Sequence, residues 1–332
     1  MQKQLSKEIF EEAKRLHEKM RHLNYSLNDC VPFAPFTLEI NRLKKEKNAV
    51  ILAHNYQKAE IIFGVSDYHG DSLALSRQAK DTSADTIVFC GVHFMAETAK
   101  ILSSQKKVLL PDQKAGCSLS ESITAKDVKE LRKKHPNAGV VTYVNTSAEV
   151  KAVSDVVCTS SNALKIIEAM PQKEIIFLPD KFMAQNLAKK TEKKIISWNG
   201  TCMVHETFST EQIDNYRAAY HGIKVFAHIE CKPEVVAKAD FAGSTSDMSR
   251  FVRNSNAGTF MLVTECGMSD MLQVEHPEKK FVVPCAICPH MKKINLENVL
   301  ASLKEDKYEI IIEESVRKKA EKAVNKMLEL SR

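Results

Sequence analysis

Three cysteines recur at a nearly constant interval along the chain. Cys117, Cys202 and Cys288 are separated by 85 and then 86 residues, and each follows an apolar run within a few residues: LLPDQKAGC, IISWNGTC and VVPCAIC. Soft thiolates select zinc or an iron–sulfur cluster. Three thiolates leave one coordination position open, as in a catalytic site, whereas a structural zinc has four closed ligands. We prefer a [4Fe–4S] cluster in which one iron is free to act as a Lewis acid.

The other six cysteines break this interval: Cys30, Cys90, Cys158, Cys231, Cys266 and Cys285. Free cysteine is commonly buried as a small hydrophobic residue, and we expect this of most of them. Cys285 lies three residues before Cys288 in CAICPHM, but no second CxxC or paired histidine completes a zinc site. We therefore expect Cys285 to be a bystander. A disulfide with Cys288, formed after loss of the cluster, would give the pair a redox role.

Polar residues occur in pairs, two positions apart, at the ends of three apolar runs. The pairs are His54 with Tyr56, Tyr143 with Asn145, and His228 with Glu230. Residues i and i+2 of a strand point to the same side, so the members of each pair face together. In parallel sheets, ligands bind beyond the carboxyl ends of the strands. We predict that the three pairs line one binding site.

Segments rich in serine and threonine mark the starts of three predicted helices. They are GDSLALS (70–76), CTSSNALK (158–165) and GSTSDMSR (243–250). Hydroxyls and free backbone N–H groups at a helix start hold carboxylates or phosphates, although plain N-capping explains each segment equally well by itself. Together the three segments indicate a substrate that carries several negative charges.

The elements that must position these residues are apolar runs of strand length, separated by helical stretches such as 95–102, 124–135 and 159–170. The runs are AVILAHNY (49–56), TIVFC (86–90), KVLLPD (107–112), VVTYVN (140–145), EIIFLPD (174–180), KVFAHIE (224–230), FMLVTE (260–265) and KFVVP (280–284). Continuous apolar strands separated by helices predict parallel sheets with both faces covered. The fold class is therefore α/β.

An internal repeat has the same interval as the cysteines. Residues 143–162, moved by 85 positions, align with residues 228–247 without a gap and with five identities, and their apolar and Ser/Thr patterns also coincide. The segment VILAHNY has the same polar ending, followed by an inserted helix. Self-similarity at a fixed interval indicates repeated structural units. We predict three similar αβα units of about 85 residues, which would bring the three cysteines together on a pseudo-threefold axis.

Composition bounds the class of protein. Hydrophobic residues make up 44% and charged residues 27% of the 332 residues, as in soluble globular proteins, and the net charge of +6 favours small anionic substrates. The basic runs lack the interleaved aromatic residues of a nucleic-acid surface. The charged N-terminal segment does not resemble a signal peptide, and no apolar run has the length of a membrane span. We expect a cytoplasmic protein that binds neither nucleic acid nor membrane.

Short segments from about residue 36 to the C-terminus resemble, in order, those of the quinolinate synthase family. They are AHNYQKAEI, GDSLALS, FCGVHFMAETAKIL, LLPDQKAGCSL, YVNTSAEVKA, CTSSNA, NGTCMVHE, HIEC, GSTS and CPHMK. The resemblance implies a condensation of iminosuccinate with dihydroxyacetone phosphate to quinolinate, phosphate and water in NAD biosynthesis. It also implies three αβα domains about a pseudo-threefold axis, with a [4Fe–4S] cluster on Cys117, Cys202 and Cys288.

The same resemblance assigns further site residues. Those that correspond to substrate contacts or to the pocket are His54, Tyr56, Ser72, Tyr143, Asn145, Ser160, His205, His228, Glu230, Ser244 and Thr245. Glu230 is the expected general base, assisted by Tyr56 and His228. One departure is Ile229, which stands where the family usually has proline between the histidine and the glutamate. The loss of the fixed φ of proline makes the placement of Glu230 a question for the structure.

The predicted domains are a helical extension (1–35), three αβα domains (36–114, 115–199 and 200–292) and a C-terminal helical segment (293–332) that returns to the first domain. L-Aspartate oxidase is the expected functional partner, as the source of iminosuccinate. Two alternatives stay open at this point. One is a zinc-dependent lyase or aldolase on the same thiolates, and the other is a redox or oxygen sensor, which would require a recognition segment that the sequence lacks.

Overall fold

The computed structural model describes residues 2–284 and 286–331, in which twelve strands form three separate sheets. The first sheet contains β1 (Ala49–His54), β2 (Tyr68–Gly70), β3 (Thr86–Cys90) and β4 (Lys107–Leu109). The second contains β5 (Gly139–Tyr143), β6 (Val156–Cys158), β7 (Glu174–Leu178) and β8 (Lys194–Ser197). The third contains β9 (Lys224–His228), β10 (Phe241–Gly243), β11 (Thr259–Val263) and β12 (Lys280–Val282).

All neighbouring strands within these sheets are parallel. The three sheets have the same strand order. Numbered along the chain within each unit, the strands lie side by side in the order second, first, third and fourth. Parallel neighbours require crossover connections, which here are helical. The predicted α/β class with three αβα units is therefore confirmed.

The described helices follow the strands in a repeated order. They are α1 (Gln2–Met20), α2 (Leu27–Cys30), α3 (Ala34–Glu46), α4 (Ala59–Ile62), α5 (Ser72–Asp81), α6 (His93–Leu102), α7 (Ser118–Glu121), α8 (Ala125–Lys134), α9 (Ala148–Ala152), α10 (Ala163–Ala169), α11 (Lys181–Ala188), α12 (Thr210–Ala219), α13 (Pro233–Lys238), α14 (Thr245–Asn254), α15 (Gly267–Glu275), α16 (Leu296–Glu305) and α17 (Glu314–Leu330). Three short 3-10 helices span Arg21–Leu23, His205–Thr207 and Met291–Lys293.

The repeat extends to every element of the three units. Each unit alternates four strands with three helices, and the helix between its first two strands is short: α4, α9 and α13, respectively. The sequence pattern indicated an inserted helix in the first unit only, and this is wrong, because the helix occurs at the same point in all three units. The side chains of Asp71 and Ser244 cap the next helices of the first and third units, α5 and α14, by accepting backbone N–H groups, and Asp180 caps α11 in the same way.

The units share one apolar core. Its largest cluster contains residues of all three sheets and of α17, among them Ile51, Val141, Phe226 and Val324. Shared burial of this kind holds the units in a fixed arrangement, because separating them would expose apolar surface to water. A site formed between the units can therefore be well defined.

The C-terminal segment joins two of the units. The backbone N–H of Ile310 donates to Val108 O (2.8 Å), which adds an antiparallel bridge beside β4. Further on, α17 packs against α6 of the first unit and against α9 and β6 of the second. Asn162 Nδ2 of the second unit donates to Ser331 Oγ at 2.8 Å. The predicted domain boundaries themselves stay a prediction.

Among the residues that the structure describes, no helix combines the length and the apolar character needed to cross a bilayer. No disulfide joins the described cysteines.

Candidate active site

A cavity of about 720 Å³, including its part open to solvent, lies where the three units meet. The predicted site residues that line it are His54, Tyr56, Ser72, Cys117, Tyr143, Asn145, Ser160, Cys202, His205, His228, Glu230, Thr245 and Cys288. The ends of β1, β5 and β9, the leading strands of the three units, therefore face one space.

The three periodic cysteines have the same local structure. Each follows the fourth strand of its unit and comes just before a short helical turn, which is α7 for Cys117 and a 3-10 helix for Cys202 and Cys288. The backbone N–H groups two and three residues later interact with each sulfur. The first N–H groups of a helical turn have no partner within the turn, so they are free to donate to the sulfur.

Burial raises the pKa of all three thiols, that of Cys117 to about 12, while the N–H groups directed at each sulfur oppose this rise. A metal that binds here must displace the thiol protons, and it gains three soft ligands from three separate units. Hydrogen bonds to sulfur are also among the groups that set the reduction potential of iron–sulfur clusters. The donor set, the matching N–H groups and the shared cavity all fit a [4Fe–4S] cluster.

A smaller donor set within the same cavity could hold a single metal ion. The Sγ of Cys202, a ring nitrogen of His205 and a carboxylate oxygen of Glu230 lie within 4.8 Å of one another. Thiolate, imidazole and carboxylate are ligands typical of zinc. This group is therefore the structural form of the zinc alternative, and it does not include Cys117 or Cys288.

His54 and His228 occupy equivalent positions and have equivalent hydrogen bonds. The Nδ1 of His54 accepts the backbone N–H of Tyr56 (3.2 Å), and the Nδ1 of His228 accepts that of Glu230 (3.3 Å). Burial lowers the pKa of His54 to about 3 and that of His228 to about 4. Both rings are thus neutral near pH 7, with the proton on Nε2. They serve the cavity as neutral hydrogen-bond donors.

Glu230 is a buried carboxylate with two partners. Its Oε1 accepts the hydroxyl of Tyr143, and its Oε2 lies 2.8 Å from Nδ1 of His205. Burial favours the protonated form, but the hydrogen bonds from His205 and Tyr143 favour the carboxylate, and the pKa of Glu230 is lowered. Glu230 is therefore ionised near pH 7 and can accept a proton.

A chain of hydrogen bonds connects Glu230 with Tyr56. The Nε2 of His205 lies 3.0 Å from Thr264 Oγ1, which lies 2.7 Å from the hydroxyl of Tyr56. A ring that donates from Nδ1 to a carboxylate accepts at Nε2, so Thr264 donates to His205 and accepts from Tyr56. Burial raises the pKa of Tyr56 well above its usual value, so its hydroxyl keeps the proton. The chain can transfer a proton from Tyr56 towards Glu230.

Neutral groups provide the donors for an anionic ligand. Ser72 and Thr245 are the first residues of α5 and α14, and Ser160 comes just before α10. Among the described residues, none of those that line the cavity is lysine or arginine. Hydroxyls and N–H groups at helix starts, together with the two Nε2–H groups, would therefore have to bind carboxylates or phosphate. Asn145 adds an amide, whose Oδ1 is buried without a hydrogen-bond partner among the described residues.

Ser244 does not line the cavity: it is buried, caps α14 and exchanges hydrogen bonds with Asp247 (2.8 Å between the side-chain oxygens).

Ile229 donates its backbone N–H to Gly243 O at 3.1 Å, and proline has no N–H for this bond. The segment that carries Glu230 is thus fixed by a hydrogen bond that a proline at position 229 could not make.

Sequence reasoning did not single out Glu265, which lines the cavity, or Thr264, which contacts the cavity residues Tyr56 and His205. Glu265 is fully buried; its Oε1 accepts the backbone N–H of Cys288 (3.2 Å) and pairs with Lys292 Nζ at 3.0 Å. Lys292 also donates to the backbone carbonyl of Tyr56. The signal was present in the sequence, since FMLVTE ends in two polar residues at the carboxyl end of a strand.

The remaining described cysteines lie elsewhere. Cys30, Cys90, Cys158 and Cys231 are buried, and Cys266 directly precedes α15. None of these five lines the cavity. Cys285 lies outside the described residues, so its expected role as a bystander stays a prediction.

Replacing His54 by glutamine should make the metal-free protein less sensitive to acid. In the unfolded chain a histidine protonates below about pH 6.5, whereas burial keeps His54 neutral to about pH 3. The unfolded state therefore binds more protons, and stability is lost as the pH falls below about 6.5. Urea midpoints at pH 7 and pH 5 should differ less in His54→Gln than in the parent. The exposed His221→Gln is the control, and equal differences in all three proteins would contradict the assignment.

Comparisons with known proteins agree on one family. A sequence model of the NadA family, described as quinolinate synthetase A protein, matches residues 38–329. The quinolinate synthase of Xylella fastidiosa is 53% identical over 289 residues, which cover 87% of this chain and 85% of the relative. Quinolinate synthase 1 of Mesorhizobium japonicum is 53% identical, with 87% and 89% covered. The quinolinate synthase of Agrobacterium fabrum is 50% identical, with 88% and 84% covered.

Proposed function

Since the chain belongs to the quinolinate synthase family, we propose that its central cavity condenses iminosuccinate with dihydroxyacetone phosphate to quinolinate, phosphate and two waters. The protein is thus an enzyme of NAD biosynthesis, a transferase that forms a carbon–carbon bond and then dehydrates the product. The observation that carries the proposal is the convergence of three equivalent cysteines and three equivalent polar pairs on one cavity.

Cys117, Cys202 and Cys288 would hold a [4Fe–4S] cluster in the proposed enzyme. Their sulfurs have matching backbone N–H donors, and no other described cysteine lines the cavity. When bound, the cluster supplies an iron with an open position that can act as a Lewis acid without net redox change.

The polar side chains would bind and orient the two substrates. Iminosuccinate carries two carboxylates, and the triose carries a phosphate. The hydroxyls of Ser72, Ser160 and Thr245 can donate to these anions, as can the Nε2–H groups of His54 and His228. The buried Oδ1 of Asn145 can accept from the imine nitrogen or from a substrate hydroxyl. Binding by neutral donors leaves Glu230 as an ionised base that no bound cation neutralises.

Glu230 would accept protons during enamine formation, imine formation and dehydration. Its carboxylate is ionised, and Tyr143 and His205 orient it. Tyr56 can accept a proton from a substrate hydroxyl while its own proton passes through Thr264 and His205 to Glu230, since each neighbour in this chain is within hydrogen-bond distance. The buried phenol needs this relay because its own ionisation is strongly disfavoured.

Replacing Thr264 by valine should interrupt the relay. We expect turnover to fall by roughly 10-fold to 10²-fold, with KM and cluster content little changed, because valine retains the shape but cannot transfer a proton. Thr37→Val controls for stability, because it removes a buried hydroxyl that donates to Glu12 (2.5 Å) and does not line the cavity. Full activity in Thr264→Val would show that Tyr56 exchanges protons by another route.

The direct test of the function is quinolinate formation by anaerobically purified protein supplied with both substrates. Omission of either substrate should abolish the product, and each quinolinate should be accompanied by one phosphate. Phosphate release without quinolinate would indicate a lyase acting on the triose alone. No product from a protein that contains the full cluster would remove the proposed reaction.

A single zinc ion on Cys202, His205 and Glu230 is the second candidate, favoured by their mutual distances. It would make Glu230 a ligand and leave Cys117 and Cys288 without a role. Zinc bound this way should survive Cys117→Ser, whereas a cluster on three cysteines should not. Metal analysis of that variant separates the two sites.

We also propose that iminosuccinate comes from an L-aspartate oxidase and that both proteins are cytoplasmic. The absence of a disulfide among the described cysteines supports a reducing compartment. An imine is hydrolysed by water, so production close to the site of use would raise the yield. Quinolinate formation from aspartate should require both proteins. An unchanged rate when a dialysis membrane separates the oxidase from this protein would show that iminosuccinate is not passed directly between them.

A further inference from the structure

Asn186, in the second unit, donates both hydrogens of its amide to the third unit. Its Nδ2 is 2.9 Å from the carbonyl oxygen of Ile229 and 2.9 Å from that of Cys231. Only the NH₂ end of the side chain can donate to two carbonyls, so these contacts fix the orientation of the amide. The two acceptors belong to the residues on either side of Glu230.

The segment that Asn186 contacts is a turn beyond the last residue of β9. Within it, Ile229 N–H donates to Gly243 O (3.1 Å), and Cys231 N–H donates to His228 O (3.0 Å). The side chain of Glu230 is meanwhile bonded to Tyr143, which belongs to the second unit like Asn186. The second unit thus contacts Glu230 at its backbone through Asn186 and at its carboxylate through Tyr143.

Asn186 is well placed to transmit this restraint. Asn186 is 2% exposed and lies on α11. Met183 and Leu187 of the same helix belong to the shared core. Asp180 caps the same helix by accepting the N–H of Met183 at 2.8 Å. The Oδ1 of Asn186 is buried without a partner among the described residues, which costs stability. The burial of this amide is therefore explained by the two hydrogen bonds that its NH₂ group donates, and not by a gain in stability from its oxygen.

We propose that Asn186 is a positioning residue that holds Glu230 where its carboxylate reaches both Tyr143 and His205. Asn186 is not among the residues that line the cavity, so it acts through Glu230 and not on the substrate. The catalytic part of this inference rests on the proposed function, whereas the restraint on the backbone does not.

Hydrogen exchange measures the restraint without any reaction. In Asn186→Leu, which is similar in size and cannot donate, the amides of Ile229 and Cys231 should exchange at least about 10-fold faster than in the parent, in metal-free protein. Asn41→Leu is the control, because it removes an amide that donates to Gly64 O (3.3 Å) within the first unit. Unchanged exchange at Ile229 and Cys231 would overturn the proposal.

Turnover measures the catalytic consequence. Asn186→Leu should lower kcat by roughly 10-fold, with KM and cluster content within about twofold of the parent, because only the base is displaced. In a Glu230→Gln background the same replacement should have no further effect. An equal loss in both backgrounds would mean a general structural role and would overturn the proposal.

Two further comparisons complete the test. Asn186→Ala also lacks the donors, and it replaces Asn186→Leu under the same criteria if the leucine variant does not fold. A parent protein that makes no quinolinate would refute the proposed function, while the exchange rates would still decide whether Asn186 restrains the segment that carries Glu230.

Discussion

Replacing Cys117, Cys202 or Cys288 by serine should each remove the cluster and abolish quinolinate formation. Each cysteine comes from a different unit, and each sulfur has its own pair of backbone N–H donors, so none can substitute for another. Serine keeps the size of the side chain but replaces a soft thiolate by a hard hydroxyl, which iron–sulfur clusters bind poorly. Visible absorbance, iron and acid-labile sulfide of anaerobically purified variants measure the loss.

The matched controls are Cys90→Ser, Cys158→Ser and Cys266→Ser. Cys90 and Cys158 are buried at the ends of β3 and β6, where serine should lower stability without removing the cluster. Normal cluster content in any of the three ligand variants would refute the assignment. Loss of metal in Cys202→Ser alone would instead favour the single-metal group with His205 and Glu230.

Glu230→Gln should lower turnover by roughly 10²-fold or more while both substrates still bind. Glutamine retains the shape and can still accept the hydroxyl of Tyr143, but it cannot take up a proton. KM should therefore change little, and the loss should appear in kcat. Single-turnover and binding measurements on the variant with a full cluster separate the two effects.

Ser72→Ala and Ser160→Ala are the comparison variants, because they remove hydroxyls that line the cavity and leave the base in place. They should act chiefly on KM. Full activity in Glu230→Gln would transfer the role of base to Tyr56 or His228.

The repeat explains why so much of the site could be predicted. A fixed interval between Cys117, Cys202 and Cys288 constrains three units at once, and chance agreement at three places is rare. The polar pairs added a second constraint, because the carboxyl ends of parallel strands meet at one edge. Both patterns can be recognised in the sequence alone. The shared cavity itself is formed by the way in which the units pack.

The strands that sequence reasoning missed are the second strand of each unit. β2, β6 and β10 have only three residues each and lie at the edge of their sheets. β4 and β12 are equally short but belong to the longer apolar runs KVLLPD and KFVVP, whereas YHG, VVC and FAG do not stand in such runs. The position of such a strand is set by tertiary contacts and not by its own composition.

Contacts between units could not be predicted. Thr264 stands at a strand end like other site residues, but only the fold shows that it lies between His205 and Tyr56. Asn186 lies within an ordinary helix, and nothing in its neighbours indicates two acceptors in another unit. Side-chain contacts of this kind depend on the relative placement of the units, which a pattern along one chain does not determine.

The most direct test of the central claim is the metal and sulfide content of anaerobically purified protein, measured on the sample that is assayed for quinolinate. The account predicts about four iron and four sulfide per chain, with quinolinate formation proportional to the cluster content. Active protein with one zinc and no sulfide would contradict the cluster on Cys117, Cys202 and Cys288. Protein with a full cluster and no quinolinate would leave the metal site in place and contradict the proposed reaction.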